Sequence, residues 1–425
     1  MHSTVQYKPF SPMVPPSKSR VARALAIALL REDKQFLEQY QNSPTADIQA
    51  FAKAALSLLE ATPPSTLHLN QSGTALRLLT AISALTTKHT VRLTGNEQLL
   101  QRPVAPLVTA LQRLGACISY EGREGFCPLI IRPSKMVSGS INAQGWESSQ
   151  YITALLLIAP LLPHGIQLRL APDAPSAPYI KLTVAMMQEA GANVTTTDEE
   201  IRIAPAPYVC TPKATYGDWG CASYWIGLQN LCPQLQQLRI KGLSDDPYQP
   251  DAHIVNLLPG IVCTPSVWHS PNCSELTEGL LFTQALPRKP LPDSIDLKGT
   301  PDLFPLFAVC YCVRRQAVTL TGLTHLSVKE SNRPLVMLDV LQRLGYQGIT
   351  YHEGTWHYNG SAPQLPAQPQ ILIPCADDHR IAMSAAIAAA ALGITINLSH
   401  PHCVQKSYPN FWLYFNQVAP NSVVS

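Results

Sequence analysis

Lys18, Arg23, Arg77 and Arg380 stand in or just after places where a short polar cluster runs straight into a long apolar, Ala/Leu-rich segment. Six such junctions occur: 17–20 before 21–30, 72–74 before 75–85, 148–150 before 151–162, 218–221 before 222–228, 301–302 before 303–313, and 377–380 before 381–392. Each reads as a capped helix start, which offers free N–H groups and partial positive charge to a phosphate or carboxylate. A second group suits proton transfer around such an anion. Asp302, Lys329-Glu330 with Arg333, Asp378-His379-Arg380 and Lys406 set acids beside bases. Gly73-Thr74 with Arg77 reads as an anion-binding turn whose glycine admits a ligand to the backbone. Ser148-Ser149-Gln150 adds two hydroxyls and an amide at a helix mouth. It is no nucleophile elbow, because the preceding residues lack G-x-S-x-G. Taken singly, each of these has a plainer reading as a solvated helix start, an N-cap or a surface ion pair. Together they point to a small polyanionic substrate.

Composition narrows the field. At 425 residues the chain predicts two domains or more, and 46% hydrophobic content is enough for ordinary cores. A net charge of +3, without a Lys/Arg run, argues against nucleic acid or an anionic membrane as partner. Eleven cysteines, Cys273 among them, are scattered singly with no C-x-x-C, as expected of reduced thiols in a cytoplasmic protein. Residues 1–16 lack the basic and apolar regions of a signal peptide. The longest apolar stretches, 151–162 and 381–392, are too short to span a bilayer. His400-Pro401-His402-Cys403 resembles a metal cluster, but the intervening proline and the missing fourth ligand argue against one. His352 to His357 does not spell H-E-x-x-H, and its composition suits a hairpin.

The elements that must position these residues repeat. From Ser72 onward the junctions recur at intervals of 76, 70, 84 and 75 residues, and only the first interval, from Ser17, is short at 55. In phase with them, helical stretches end in Gly115, Gly191 and Gly345, each predicted to be a left-handed C-cap leading into a strand. Alternating strands are expected at 166–170, 201–203, 237–240, 317–320 and 371–373. The unit is therefore an α+β fold of roughly 75 residues, too long for a helical solenoid repeat. Three units per domain give two domains, 16–216 and 1–15 with 217–425, with hinges near 15–18 and 211–218.

The motifs, in order, resemble those of the 5-enolpyruvylshikimate-3-phosphate (EPSP) synthases. Pro15-Pro16-Ser17-Lys18-Ser19 with Arg23-Ala24-Leu25 is similar to P-G-S-K-S-x-S-x-R-A-L, and Ser72-Gly73-Thr74 with Arg77 to N-[AS]-G-T-[AT]-x-R. Arg102-Pro103, Ser148-Ser149-Gln150-Tyr151, and Ser176 with Pro178-Tyr179 fit three more. Asp218 with Ala222-Ser223-Tyr224 resembles G-D-x-S-S-A-[AS]-[FY]. Lys329-Glu330-Ser331-Asn332-Arg333, Asp378-His379-Arg380 and Lys406-Ser407-Tyr408-Pro409 complete the series.

The resemblance implies a two-domain enolpyruvyl transferase fold, each domain of three βαβαββ units, with helix N-termini facing the interdomain cleft. It implies enolpyruvyl transfer from phosphoenolpyruvate to the 5-hydroxyl of shikimate 3-phosphate, by a monomer without metal or organic cofactor. Carried over by motif, Ser19, Arg23, Ser148, Ser149, Gln150, Ser176, Tyr179, Asp302 and Lys329 would hold shikimate 3-phosphate. Lys18, Gly73, Arg102, Gln150, Arg333, Arg380 and Lys406 would hold phosphoenolpyruvate. Lys18, Asp302, Glu330 and Lys406 would be catalytic: Asp302 accepts the hydroxyl proton, Glu330 serves the methylene carbon, and a lysine aids the leaving phosphate.

Departures from the patterns are Pro16 for Gly, Val21 for Ser, Gln71 for Asn, Asn332 for Asp and Gly220-Cys221 for Ser-Ser. The short first interval reads as a missing hairpin. Two other readings are a non-catalytic metabolite-binding relative and an enolpyruvyl transferase acting on UDP-N-acetylglucosamine. Ser19 after Lys18, and Ser148-Ser149-Gln150, favour the shikimate enzyme over the latter.

Overall fold

The computed structural model describes residues 10–62, 64–171, 176–269, 276–285, 287–365 and 370–424. Cys273 and the stretch before residue 10 lie outside them. The chain divides into two compact units: Lys18–Thr215, and the chain up to Ser17 together with Tyr216 onward. Each has its own hydrophobic core. The architecture is α+β.

In the unit Lys18–Thr215, the helices Lys18–Leu30, Gly73–Thr86 and Ser149–Ile158 pack on one another. Ala, Leu and Ile cover nearly every face of these helices, so they are buried almost all round, as interior helices are. Two four-stranded sheets flank them. One has the order Thr66–His68, Val91–Thr94, Leu129–Arg132, Cys117–Tyr120, the other Gly139–Asn142, Ile166–Arg169, Glu200–Ile203, Val194–Thr196. In both, the first pair is parallel and the rest antiparallel, so the chain order is βαβαββ.

The other unit centres on Trp219–Leu231, Phe304–Arg314 and His379–Leu392, again mutually packed. Its sheet Ser294–Asp296, Val318–Thr321, Thr355–Tyr358, Ile349–His352 repeats the same order. The expected hairpin around His352 and His357 is its last strand pair. A second sheet joins Ile261–His269, Leu276–Gln284 and Gln237–Lys241. Phe10 and Met13 bridge in parallel to Leu238 and Lys241 of that sheet and stand in for its first strand. The last unit is abbreviated to three parallel strands, Ile371–Ile373, Ile396–Leu398 and Val423–Val424.

Two features differ from the repeat read in the sequence. Residues 18–62 form three helices, Lys18–Leu30, Lys34–Glu38 and Ala46–Leu58, and hold no strand among the described residues. The short first interval thus lacks more than a hairpin. The Ala-rich run 46–58 is made of good helix formers, with no alternation for a strand to use. The junction at 301–302 begins as a 3-10 turn, Pro301–Leu303, before the helix Phe304–Arg314. Asp302 therefore lies inside a turn rather than at an N-cap. The C-cap reading holds: Gly115, Gly191 and Gly345 have φ of 91°, 95° and 88°, directly after helices ending near Arg113, Glu189 and Arg343. No described helix is long and apolar enough to cross a membrane.

Tyr408 ties the amino-terminal stretch to this unit's core. Its hydroxyl donates to the Met13 carbonyl at 2.7 Å and accepts from Trp225 Nε1 at 2.9 Å, amid edge-on and stacked contacts with Phe411. Tyr408→Phe leaves both groups without their partner. It should cost about 2 kcal/mol in urea unfolding, while Tyr414→Phe at the half-buried surface serves as the control expected to change little.

Candidate active site

The unit Lys18–Thr215 carries a constellation of helix mouths joined by arginines. Ser72 caps its helix by accepting from the Ala75 N–H, and Ser148 accepts from the Gln150 N–H. Arg77, buried, runs between these two starts. Its Nη1 donates to the Gly73 carbonyl (3.1 Å) and to Gln150 Oε1 (2.8 Å), and its Nη2 to the Pro103 carbonyl (3.0 Å). Its guanidinium also lies over the Tyr151 ring at 5.3 Å. Gln150 Nε2 donates in turn to Thr74 Oγ1 at 3.0 Å. A Cβ on Gly73 would come within 2.5 Å of Arg102 Nη1 and 2.6 Å of Arg77 Nη1. A side chain here would displace one or both guanidinium groups. Gly73, Arg102, Gln150 and Arg77 form one cluster.

Lys18, at the first turn of its helix, forms an ion pair with Asp47 at 3.2 Å. Arg23 lies among the first turns of three helices. It is buried, with Nε donating to Thr183 Oγ1 (2.8 Å), Nη1 to the Ser19 carbonyl (2.8 Å), and Nη2 to Thr153 Oγ1 (3.3 Å) and the Tyr179 carbonyl (3.0 Å). Burial lowers its pKa to about 10. It clamps the Lys18 helix to the Ser149–Ile158 and Ala177–Glu189 helices. Ser176, buried at the N-cap of the latter, holds the left-handed φ of 58°.

In the other unit a second constellation is built around Arg333, 1% exposed. Its Nε donates to Asp378 Oδ2 (2.9 Å), Nη1 to Asp302 Oδ1 (2.7 Å) and Nη2 to Glu330 Oε2 (2.9 Å). Glu330 Oε1 takes Lys406 Nζ at 3.1 Å. Asp302 Oδ2 takes Arg380 Nη2 at 2.7 Å, and Lys329 Nζ lies 3.9 Å from Asp302 Oδ1. Asp378 caps its helix through the Arg380 N–H and also accepts from Ser331 Oγ. Ala376 and Asp377, which lead into it, both hold left-handed φ, 51° and 53°. Such non-glycine strain persists where surrounding contacts fix the backbone. Burial would raise the Asp302 pKa, but Arg380, Lys329 and Arg333 outweigh it and hold this carboxyl well below the usual range. Burial would lower that of Arg333, but Asp378, Glu330 and Asp302 drive it up, so the guanidinium stays charged.

The structure thus gathers Asp302, Lys329, Glu330, Arg333, Arg380 and Lys406 into one network. It gathers Gly73, Arg102, Gln150 and the Ser148-Ser149 mouth into another, and it bonds Arg23 to the backbone of Ser19 and Tyr179. Two acids were not singled out from the sequence: Asp47, the partner of Lys18, and Asp251, beside Arg380. An acid in the first turn of the helix Ala46–Leu58 was the only local signal for Asp47. Asp218, left without a ligand in the sequence reading, caps its helix by accepting from the Cys221 N–H. Among the described residues, no group of three His, Cys, Asp or Glu could hold a metal ion.

A sequence profile of the EPSP synthase (3-phosphoshikimate 1-carboxyvinyltransferase) family matches residues 45–414. The chain belongs to this family. It is 34% identical over 401 residues to the 3-phosphoshikimate 1-carboxyvinyltransferase of Bacteroides fragilis, covering 94% of this chain and 92% of that one. The enzyme of the same name from Methanosphaerula palustris is 29% identical over 426 residues, covering 94% of each chain. The EPSP synthase of Acinetobacter baumannii superposes with a TM-score of 0.69 at 19% identity, over 96% of this chain and 95% of that one. The enolpyruvyl transferase NikO from Streptomyces tendae gives 0.64 at 15%, over 96% and 94%. At such identities the two structures speak to the fold alone.

Gly73→Ala tests the arginine cluster. The new methyl presses on Nη1 of both Arg102 and Arg77, so at least one guanidinium must move. Affinity for phosphoenolpyruvate, followed by KM, should fall about tenfold, equivalent to about 1.4 kcal/mol, with thermal stability nearly unchanged.

Proposed function

We propose that this chain transfers the carboxyvinyl group of phosphoenolpyruvate to the 5-hydroxyl of 3-phosphoshikimate, with release of phosphate. The observation that carries the reading is the Arg333 network, in which Asp302 and Glu330 each bond Arg333 and one further cation, Arg380 and Lys406 respectively. Addition needs a base at the hydroxyl and an acid at the methylene carbon. Elimination needs the methyl proton removed and the phosphate charge met.

Asp302 is assigned the hydroxyl proton. In the free protein it is bonded to Arg333 and Arg380, which keep it ionised and hence able to accept a proton. An arriving phosphate or carboxylate competes for the same two guanidinium groups. As they turn to the ligand, their hold on Asp302 weakens and its basicity rises. Glu330 and Lys406 form the adjoining acid–base pair, assigned to the methylene carbon and the leaving phosphate. Lys18, Gly73, Arg102, Gln150, Arg333, Arg380 and Lys406 are assigned to phosphoenolpyruvate. Ser19, Arg23, Ser148, Ser149, Gln150, Ser176, Tyr179, Asp302 and Lys329 are assigned to 3-phosphoshikimate. Arg23, which bonds Thr183, Thr153 and the carbonyls of Ser19 and Tyr179, keeps one Nη1 donor beyond these four bonds and also fixes Ser19 and Tyr179 in place. No cofactor is assigned.

The domains are taken as 16–216 and 1–15 with 217–425. The two crossing segments lie side by side, with Ser17 N–H donating to the Tyr216 carbonyl and Asp218 N–H to the Pro15 carbonyl, which supports a hinge there. We place the chain in the cytoplasm, as a monomer; ten scattered free cysteines among the described residues support a reducing compartment.

Phosphate release from phosphoenolpyruvate with 3-phosphoshikimate tests the reaction. Silence there, with release on a UDP-linked amino sugar, would overturn it, and silence with both would favour a binding protein. Asp302→Asn should lower kcat by about 10²–10⁴-fold. Because the change frees two arginines, phosphoenolpyruvate should bind at least as well as to the unaltered protein, as read by calorimetry.

A further inference from the structure

Asp251 lies in the 3-10 turn Pro250–His253, 6% exposed, and neither the sequence motifs nor the reaction assigns it a part. Its Oδ2 sits 3.9 Å from Arg380 Nη2, the same nitrogen that bonds Asp302 at 2.7 Å. Its Oδ1 is buried with no hydrogen-bond partner, an uncommon state for a carboxylate and a costly one if charged. The carboxyl reaches this position because residue 220 is glycine. A Cβ there would stand 2.6 Å from Asp251 Oδ2, 3.0 Å from Asp218 Oδ1 and 3.1 Å from Arg380 Nη2. Gly220 is one of the departures noted in the sequence, where the family pattern has serine.

We propose that Asp251 is a positioning residue for Arg380: the space at Gly220 lets its carboxyl share that guanidinium with Asp302, so the hold of Arg380 on an anionic substrate depends on whether Asp251 is ionised. The inference rests on Arg380 receiving phosphoenolpyruvate. The groups that face Asp251 come from four elements: Arg380 on the His379–Leu392 helix, Asp302 on the turn Pro301–Leu303, Asp218 at the cap of the Trp219–Leu231 helix, and Lys329 after the turn Thr324–Val328. Burial raises the Asp251 pKa most. Arg380 and Lys329 oppose that, Asp302 and Asp218 add to it, and the carboxyl titrates at about 7. Below that pH the carboxyl is neutral and no longer competes for Arg380. Above it, a second carboxylate competes with the substrate for Nη2.

The test compares phosphoenolpyruvate binding, as Kd and as KM, in the unaltered protein and in Asp251→Asn from pH 5.5 to 8.5. The phosphate of the ligand titrates near 6 and cancels in the ratio of the two proteins. That ratio should be near one at the acid end and rise to about tenfold tighter binding by Asp251→Asn at the alkaline end, with kcat changing less than KM. A ratio that stays constant with pH overturns the proposal. Gly220→Ala keeps every titratable group and thrusts its methyl against Asp251 Oδ2. Its ratio to the unaltered protein should also vary with pH, and a flat ratio there counts against the proposal even where Asp251→Asn fails to fold. Turnover by the unaltered protein with flat ratios in both variants sinks this inference and leaves the assigned reaction standing.

Discussion

One guanidinium holds three carboxylates of the second unit in place. Arg333 spends its Nε, Nη1 and Nη2 on three carboxylates from three parts of the chain, and it is almost wholly out of water. Taking so many charges from water is costly, and the cost is offset only when each finds a partner in good geometry. Here each does: Asp378 through Nε and the Arg380 N–H, Asp302 through Arg333 and Arg380, Glu330 through Arg333 and Lys406. Removing Arg333 would strand Asp378, 0% exposed, beside two other acids, a defect of the kind that costs about 3–5 kcal/mol. The network therefore locks the 3-10 turn at Asp302, the turn before Arg333, the helix start at Asp378 and the turn ending at Lys406 into one arrangement. Folding of this unit and placement of its reactive groups are the same event.

The unit Lys18–Thr215 uses arginine in the same way, toward backbone rather than carboxylate. Arg77 bonds the carbonyls of Gly73 and Pro103 and the amide of Gln150, and so sets two helix mouths at fixed separation. Arg23 joins three helices through hydroxyls and carbonyls. Neutral acceptors leave such a cation uncompensated, and the lowered pKa of Arg23 is the physical trace of that. Arginine is suited to this work because its planar fork offers five donors in fixed directions.

Much of this was legible in the sequence. Polar residues before Ala/Leu runs located six buried helices, and the glycines after the outer helices marked their ends, because both signals are local. The motif residues of the second half also came together as expected. What could not be read was the direction of long side chains. Arg23 and Arg77 sit in equally suggestive motifs, and the bonds each makes to other helices and loops were not readable, since tertiary neighbours alone decide where a guanidinium points. Asp47 and Asp251 belong to no motif and gain meaning only through Lys18 and Arg380. The all-helical stretch 18–62 was half visible: its shortness showed that something was missing, but only the Ala-rich composition of 46–58 says what replaced it.

The departures from the family pattern make sense as charge bookkeeping around Arg333 and Arg380. Asn332, where the pattern has an acid, leaves its Oδ1 buried without a hydrogen-bond partner. A carboxylate in that buried place would add a charge to desolvate with no partner at that oxygen, and the amide avoids much of that cost. Gly220 works in the opposite sense by admitting the carboxyl of Asp251 to Arg380. One acid is withdrawn next to the first guanidinium while another is drawn up to the second.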